Sequence, residues 1–300
     1  MPLQYNASDV FNLGEAIAST DAYDNRDKNK RTMNDRTFIA FYGRDKDSVL
    51  EIWERCWHLV PKTKLKHLLW TLMYMKLYLP IDVMIVILRT SKDTLNSWVW
   101  RWITVVASLR DEVILWGNRH RNVPDDVFCQ ITVDGTDFQI GEPFPFNKKW
   151  KSPKLPGGSV KYEVAVSIYA GDIVWIYGPH NGGKNDLTIF CEELRQMLEP
   201  GEMIEADAGY KGDAEFIRNR DIWFTEQEKR EKSELRARHE TVNRRFKQWG
   251  ILKQQFRNGK EKHQMVFFCI AVLTQLDIDN GNVLFSCEPK TRKTDVLNII

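Results

Sequence analysis

The sequence predicts an α/β protein whose mixed sheet, with flanking helices, is preceded by an α-helical region with a helix-turn-helix layout. Apolar residues recur at helical spacing over residues 48–122, whereas residues 123–288 begin with strand-like alternation and then return to helical spacing. A polar, proline-marked stretch at residues 118–126 separates the two patterns and is the expected linker. Residues 1–47 are predicted to form a loosely ordered leader and residues 289–300 a tail.

The composition excludes several classes of protein. With 43% hydrophobic and 28% charged residues, the chain is globular rather than disordered. Its five cysteines are widely spaced and form no CxxC pair, which argues against a zinc cluster or a disulfide framework and favours a reducing compartment. The start lacks a signal-peptide layout, and no apolar run is long enough to span a membrane. We therefore expect an intracellular protein without a membrane partner, nuclear if its organism is a eukaryote.

Charge is distributed unevenly along the chain. The formal net charge is +2, but residues 229–262 carry twelve Lys or Arg and only four Glu, so the rest of the chain is net acidic. A basic block of this kind is typical of a protein that binds a polyanion at one place, and the alternative is a solvated helix face. Within this block we expect four side chains to contact a phosphate backbone: Arg236, Arg244, Arg245 and Lys247.

The helical region contains a layout found in DNA-binding proteins. Helices are predicted at residues 10–19, 49–57, 65–79, 82–88 and 94–116. The last two, with a short polar turn at residues 90–93 between them, form a helix-turn-helix layout. If this layout reads DNA, the exposed early side chains Lys92, Asn96 and Arg101 are the expected contacts. The alternative is a packing module of stacked tryptophans, since the expected buried side of the second helix includes Trp98, Trp102, Val105, Val106 and Leu109.

The second region alternates strands with helices. Strands are predicted at residues 128–140, 160–169, 173–177, 203–208 and 222–225, and helices at residues 187–198 and 214–219, over the basic block, and at residues 263–276. The second and third strands are joined by a hairpin at Ala170-Gly171-Asp172. A hairpin meander followed by alternating elements is typical of a mixed sheet, and this order is that of the RNase H-like fold.

Two glycine-containing segments of this region are predicted to differ in role. The loop at residues 141–158 follows the first strand and is long, and long ordered loops usually serve function. We expect it to contact phosphate through Lys148, Lys149 and Lys151, with Lys154 nearby. The segment at residues 178–183 lacks the GxxxxGK[ST] spacing of a phosphate loop, so it is predicted to be a turn before a helix capped by Asp186.

Three acids occupy positions that suit a metal site. In the RNase H-like fold, an acid in the middle of the first strand faces an acid that ends the fourth, and a later helix supplies the third. Asp134, Asp207 and Glu240 occupy these three places, the last beside an apolar helix stripe that runs from Leu235 to Trp249. Crowded carboxylates repel one another, and two divalent cations about 4 Å apart relieve that repulsion and polarise a phosphodiester for in-line attack. Oxygen-only ligands suit Mg²⁺ or Mn²⁺ rather than zinc.

The motifs around these acids resemble a known family. Val133-Asp134-Gly-Thr136, Ala206-Asp207-Ala-Gly-Tyr210 and the block from Arg238 to Lys253 are similar to the three signature blocks of the DDE superfamily endonucleases, in the Harbinger-like and insertion-sequence-like branch of transposases. The resemblance runs from about residue 65 to residue 285 and includes the helix-turn-helix layout. It implies that Asp134, Asp207 and Glu240 are the catalytic and metal-binding carboxylates, with two divalent cations, Mg²⁺ or Mn²⁺, and no small-molecule cofactor.

The same resemblance implies a reaction and its partners. It implies DNA cleavage and strand transfer, with DNA as the partner, both as the ends of the element and as the target; a homo-oligomer is left open. The alternatives are a domesticated nuclease that no longer transposes and a non-catalytic DNA-binding protein derived from such an element. Metal-dependent nicking of DNA separates the non-catalytic alternative from the other two.

Several neighbouring side chains compete for a place in the site. Asp137 falls on the opposite strand face from Asp134, so it is a poor partner. Glu205 shares a face with Asp207 and is the rival ligand, although the family motif favours Asp207. His239 projects onto the packing stripe and is expected to be structural rather than catalytic.

Overall fold

The computed structural model describes residues 4–19, 33–127, 129–145, 147–218 and 226–287. The chain divides into two units. The first contains the residues up to Leu109 together with residues 247–254 and 265–270, and the second contains residues 110–246, 255–264 and 271–300. The first unit therefore ends before the predicted linker and includes two later segments that no local sequence pattern assigns to it.

The first unit is built from helices in its described residues. These are α1 (Ala7–Ala18), α2 (Asp35–Tyr42), α3 (Lys46–Cys56), α4 (Leu65–Leu77), α5 (Ile81–Ile87) and α6 (Lys92–Ser108). The side chains of Asn6, Asn34 and Asp45 cap the first three by accepting hydrogen bonds from backbone N–H groups of the first turn. The predicted helix at residues 10–19 corresponds to α1, whereas α2 was not predicted within the leader; these two helices bury Val10 and Phe38.

The predicted helix-turn-helix segment forms α5 and α6, joined by residues 88–91, with Ser91 as the cap of α6. The second helix ends at Ser108 rather than near residue 116, because the chain tightens at Leu109, whose N–H bonds to the Val106 carbonyl. Its buried side differs slightly from the prediction and consists of Leu95, Val99, Trp102, Ile103, Val106 and Ala107. Trp98 and Val105 are only partly buried. That this layout reads DNA stays a prediction.

The second unit contains the sheet. Its elements are α7 (Arg110–Val113), β1 (Cys129–Gln139), β2 (Ser159–Ser167), β3 (Ile173–Asn181), α8 (Asp186–Glu192), α9 (Leu194–Met197), β4 (Met203–Ala206) and α10 (Glu226–Lys247). Two helices follow: α11 (Gly250–Lys253) in the first unit, and α12 (His263–Asp279), which contributes residues to both. None of the helices in the described part of the chain combines the length and apolarity that crossing a bilayer requires.

The sheet is mixed, in the order β3-β2-β1-β4. β1 pairs antiparallel with β2, β2 antiparallel with β3, and β4 parallel with β1, so the predicted mixed sheet with flanking helices is confirmed. β3 runs through Asn181, so residues 178–181 are strand rather than the predicted turn. The predicted helix at residues 214–219 is also wrong over residues 214–218, since the chain turns at residues 214–216 and Ile217 bridges to Ile204. The predicted strand at residues 222–225 lies outside the described residues.

The two faces of the sheet carry different helices. On one face, Val133, Ala165 and Ile204 pack in an apolar cluster with Phe190 and Leu194 from α8 and α9. On the other face, Thr132 hydrogen-bonds His239 of α10, and Tyr162 hydrogen-bonds His263 of α12. Because side chains alternate along a strand, Asp134 lies on the α10 face, whereas Gly135 and Asp137 lie on the α8 face.

Glu163 of β2 is fully buried on the α8 face, directly opposite Gly135 of β1. Burial raises the pKa of its carboxyl to about 8; the neighbouring Tyr210 hydroxyl acts in the opposite direction, and the charge of Asp186 adds to the increase. A folded-state pKa above the ordinary value of 4.5 means that the fold favours the neutral carboxyl. This contribution to stability is therefore fully present below pH 4.5 and is lost as the pH rises toward 8.

Replacing Glu163 with Gln should remove this pH dependence. Glutamine stays neutral, so the free energy of unfolding of Glu163→Gln should exceed that of the wild type by a margin that grows by about 1.4 kcal/mol per pH unit through that window and then levels off. Denaturant unfolding across the window measures the margin. Glu261→Gln, at an exposed position, should follow the wild type at every pH. Parallel curves for the wild type and Glu163→Gln would contradict the assignment.

Candidate active site

Asp134 is held in place by β1, which pairs with β2 on one side and β4 on the other. Its Oδ2 accepts a hydrogen bond of 3.0 Å from Asn243 Nδ2 of α10. Burial raises the pKa of Asp134 to about 6; the charge of Lys154 lowers it, and that of Asp207 raises it again. A carboxylate that is both desolvated and close to a second carboxylate is one that a bound cation would stabilise.

Asp207 follows β4 directly. The parallel pairing of Ala206 with Val133 brings the end of β4 alongside β1 one residue before Asp134. Asp207 Oδ1 accepts a hydrogen bond of 2.7 Å from the Gly209 N–H, which fixes the carboxylate at the start of the turn Ala208–Tyr210. Strand pairing and this turn therefore position Asp207 next to Asp134.

Glu240 is contributed by α10, at the edge of its packed face. Leu235, His239, Val242 and Phe246 are buried along this helix, and Trp249 is buried just beyond it, so the predicted apolar stripe is confirmed. The Glu240 side chain itself is 58% exposed, and its Oε1 lies 3.5 Å from Arg236 Nε. Of the three acids, Glu240 is the one whose side chain has the most freedom to move.

All three acids line one pocket of about 360 Å³. Three cationic side chains, Lys154, Lys232 and Arg236, line it as well. Cationic side chains attract a phosphate backbone, and carboxylates can hold metal ions against it. The structure thus brings Asp134, Asp207 and Glu240 together from three separate segments; their catalytic role stays a prediction.

The donor chemistry of the pocket fits hard divalent cations. The three acids offer carboxylate oxygens only, which are the ligands that Mg²⁺ and Mn²⁺ prefer. Within the described ranges, however, no three His, Cys, Asp or Glu side chains lie close enough to form a ready-made metal site. The Glu240 carboxylate is paired with Arg236 at 3.5 Å and is 58% exposed.

The competing side chains have other partners. Glu205 lines the same pocket but forms an ion pair with Lys232, and Asp137 is on the opposite face of β1 from Asp134, as predicted. His239 is buried and hydrogen-bonded to Thr132, and burial lowers its pKa to about 4. Asp186 differs from its prediction: Asn185 caps α8, whereas Asp186 forms an ion pair with Lys161.

The predicted phosphate contacts of α10 fall into two groups. Arg236, Arg244 and Lys247 are exposed, with Arg236 at the pocket. Arg245 is different, because its guanidinium donates to Asn282 Oδ1 and the Val283 carbonyl, each at 3.3 Å, and lies near Asp277. This side chain therefore anchors α10 to the segment that follows α12, and its contact with DNA stays a prediction.

The remaining predicted contacts lie on two other segments. Lys148, Lys149 and Lys151 are exposed in and just after a short turn that Asn147 caps, and Lys149 and Lys260 approach the ring of Trp150. In the first unit, Lys92 and Arg101 are exposed and Asn96 is partly buried on α6. The Arg101 guanidinium lies 5.1 Å from the centre of the Trp98 ring. That these six side chains contact DNA stays a prediction.

Sequence reasoning missed part of the pocket. Lys232 and Thr132 line it, and Asn243 bonds to Asp134, but none was predicted as a site residue. In the sequence, Lys154 lies in the loop at residues 141–158, and no local pattern connects it with the acids. A signal was available for Asn243, which is one helical turn after Glu240 and therefore on the same face of α10. No local pattern marks Lys232, because its partner Glu205 is distant in the sequence.

Comparison with known proteins supplies the family. Residues 133–275 match the DDE superfamily endonucleases, and this segment contains Asp134, Asp207 and Glu240. These residues belong to the DDE superfamily endonucleases. The match does not distinguish branches of the superfamily, so the Harbinger-like assignment stays a prediction. No curated protein and no solved structure gives a significant match to the chain.

The division among the α10 arginines can be tested in the full-length chain. Arg245→Ala should lower the free energy of unfolding by about 1–3 kcal/mol, because it removes hydrogen bonds made by a charged group that is largely buried. Arg244→Ala should leave stability unchanged and reduce the slope of DNA affinity against salt concentration by roughly one unit. Chemical denaturation and binding titrations at several salt concentrations measure the two effects. Equal stability losses in both variants would contradict the division.

Proposed function

We propose that this chain is a metal-dependent DNA endonuclease of the transposase type, with a catalytic RNase H-like domain. The observation that carries the proposal is the pocket shared by Asp134, Asp207 and Glu240 within residues that belong to the DDE superfamily. Hydrolysis of one strand leaves a 3′-hydroxyl and a 5′-phosphate. The 3′-hydroxyl then attacks a phosphodiester of target DNA, which joins the strands and releases a new 3′-hydroxyl.

The three acids would hold two divalent cations, Mg²⁺ or Mn²⁺. When bound, such cations stabilise charge on the phosphodiester and activate the attacking water. Asp134 and Asp207 supply fixed oxygens, because the sheet and the turn after β4 set their positions. Glu240 would complete the set of ligands by moving its carboxylate away from Arg236. The Arg236 guanidinium would then be able to contact the phosphate backbone.

The charged surroundings of the pocket support DNA as the partner. Lys154, Lys232 and Arg236 line the pocket, and Arg244 is exposed farther along α10. Backbone contacts of this kind position DNA without reading its sequence. Sequence reading is assigned to α6 of the first unit, whose capped N-terminus carries Lys92 and Asn96. Access to DNA implies a nuclear location in a eukaryote.

A non-catalytic DNA-binding protein is the second candidate. It is favoured by one observation, the pairing of Glu240 with Arg236, which occupies the third acid where catalysis would need it as a ligand. The two candidates share the same DNA surface and differ in whether the three acids are needed for anything beyond folding. A cleavage assay with acid variants therefore separates them.

Removing one charge from the site should abolish cleavage without weakening DNA binding. Glu240→Gln, Asp134→Asn and Asp207→Asn keep side-chain size but reduce the negative charge available to cations. Nicking of plasmid DNA in Mg²⁺ or Mn²⁺ should fall by at least about a hundredfold in each, since charge stabilisation is usually the largest catalytic term. Affinity for DNA should hold or rise, because a charge that repels phosphate has gone.

Two neighbouring acids serve as controls for that assay. Asp137→Asn lies on the opposite face of β1, and Glu205→Gln alters an acid that is already paired with Lys232. Both should keep most of the wild-type activity. Cleavage that survives EDTA, or a Glu240→Gln protein as fast as the wild type, would overturn the metal-dependent assignment and favour the second candidate.

The first unit should contribute sequence preference. In the full-length chain, replacing Lys92 and Asn96 with Ala should reduce the ratio of affinities for the element's own ends and for random DNA by about tenfold or more, since each lost base contact costs roughly 1–3 kcal/mol. Competition gel shifts measure this ratio. Lys148→Ala, outside the predicted recognition helix, should lower both affinities alike. An unchanged ratio in the α6 variant would leave α6 without a reading role.

A further inference from the structure

Asp186 forms an ion pair that the proposed mechanism does not use. Its Oδ1 lies 2.6 Å from Lys161 Nζ, and the two side chains are only 14% and 6% exposed. Lys161 Nζ also donates a hydrogen bond of 2.9 Å to the Lys184 carbonyl, next to the start of α8. Because Asn185 provides the helix cap, Asp186 is free of that task, and its carboxylate is held in one position by Lys161.

The Asp186 carboxylate lies against both segments that carry the strand-borne acids. A methyl group built at Gly135 would lie 2.8 Å from Asp186 Oδ1, and one built at Gly209 would lie 2.7 Å from Asp186 Oδ2. Gly135 directly follows Asp134, and the Gly209 N–H holds the Asp207 carboxylate. Neither glycine has a φ in the left-handed region, so close approach, rather than backbone conformation, is the reason for glycine at these positions.

We propose that Asp186, paired with Lys161, is a positioning residue that fixes the Asp134 and Asp207 segments relative to each other. This inference rests on the proposed function. One rigid carboxylate that touches the strand after Asp134 and the turn after Asp207 sets the separation of the two acids. The positive charge of Lys161 offsets the negative charge of Asp186, so the pair adds no net negative charge next to the metal site. Groups of this kind behind a metal site typically change metal affinity or activity about tenfold to a hundredfold when replaced.

A purely structural ion pair is the competing explanation, and the chain offers a matched control. Asp213 pairs with Arg195 at the same distance, 2.6 Å, and its side chain is 15% exposed, close to the value for Asp186. Asp186→Asn and Asp213→Asn therefore remove the same charge from two aspartates matched in pair length and exposure, although Arg195 is 37% exposed and Lys161 only 6%. A structural role predicts similar behaviour in both, whereas a positioning role predicts that only the Asp186 variant alters the metal requirement.

The experiment compares the full-length wild type with both variants in three measurements. We expect Asp186→Asn to raise the Mg²⁺ concentration for half-maximal cleavage by about tenfold, and to weaken Mn²⁺ binding measured by calorimetry without DNA by a similar factor. DNA affinity should stay within about twofold, because the phosphate-facing cations are unchanged. Asp213→Asn should match the wild type in all three. Equal changes in the two variants, or an unaltered metal requirement in Asp186→Asn, would overturn the inference.

A second variant tests the contact without removing the charge. Gly135→Ala adds a methyl group that meets Asp186 and the Lys161 side chain, so it should raise the Mg²⁺ requirement in the wild-type background. In an Asp186→Ala background the same change should have little further effect, whereas in an Asp213→Ala background it should act in full. Strictly additive effects with Asp186→Ala would contradict the proposed contact.

The outcomes distinguish this inference from the proposed function. If the wild type neither binds Mn²⁺ nor cleaves DNA, the proposed function fails and the inference fails with it. If the wild type cleaves while Asp186→Asn keeps its Mg²⁺ requirement, only the inference fails. If the Mg²⁺ requirement rises in Asp186→Asn alone and Gly135→Ala is coupled to Asp186, both stand.

Discussion

The parallel pairing of β1 with β4 is the constraint on which the site depends. Ile131 and Val133 share an apolar cluster with Ile204 and Ala206, so burial of these four side chains sets the register of the two strands. A slip of one residue would turn each set to the opposite face. The apolar packing on the α8 face fixes this register. It therefore holds Asp134 and Asp207 close together even though their two negative charges repel each other.

The third acid depends on a different kind of packing. The rotation of α10 is fixed by its buried side chains and by two arginines that hold it at separate points: Arg238 donates to the Ile168 carbonyl, and Arg245 to the segment after α12. The basic block is therefore not a uniform surface. Some of its cations hold the helix in the fold, and others face the pocket or solvent. Burying a guanidinium is costly unless it is hydrogen-bonded, which explains why these two end on carbonyl and amide oxygens.

The parts of the fold that the sequence predicted are those set by local periodicity. The strands that carry Asp134 and Asp207 and the apolar stripe of α10 follow from side-chain alternation and helical spacing. The errors arose where a distant partner outweighs a local signal. Asp186 has the sequence context of a helix cap, but its partner Lys161 is 25 residues away. In the sequence, Arg245 is indistinguishable from its neighbour Arg244. In the structure, only Arg245 is shown to bond to Asn282, which is 37 residues later. Likewise, residues 214–217 have acceptable helix propensity, yet Ile217 pairs with a strand.

The two edges of the sheet differ from an open edge that could pair with a further strand. β3 is an outer strand and contains Pro179, which has no N–H to donate to a further strand. At the other edge, the backbone around Ile217 already takes the hydrogen-bonding groups of Ile204 in β4. Open edges invite strand-to-strand association between molecules, and both of these are blunted. Addition of a further strand is therefore disfavoured at both edges of the described sheet, which protects the register on which the two aspartates depend.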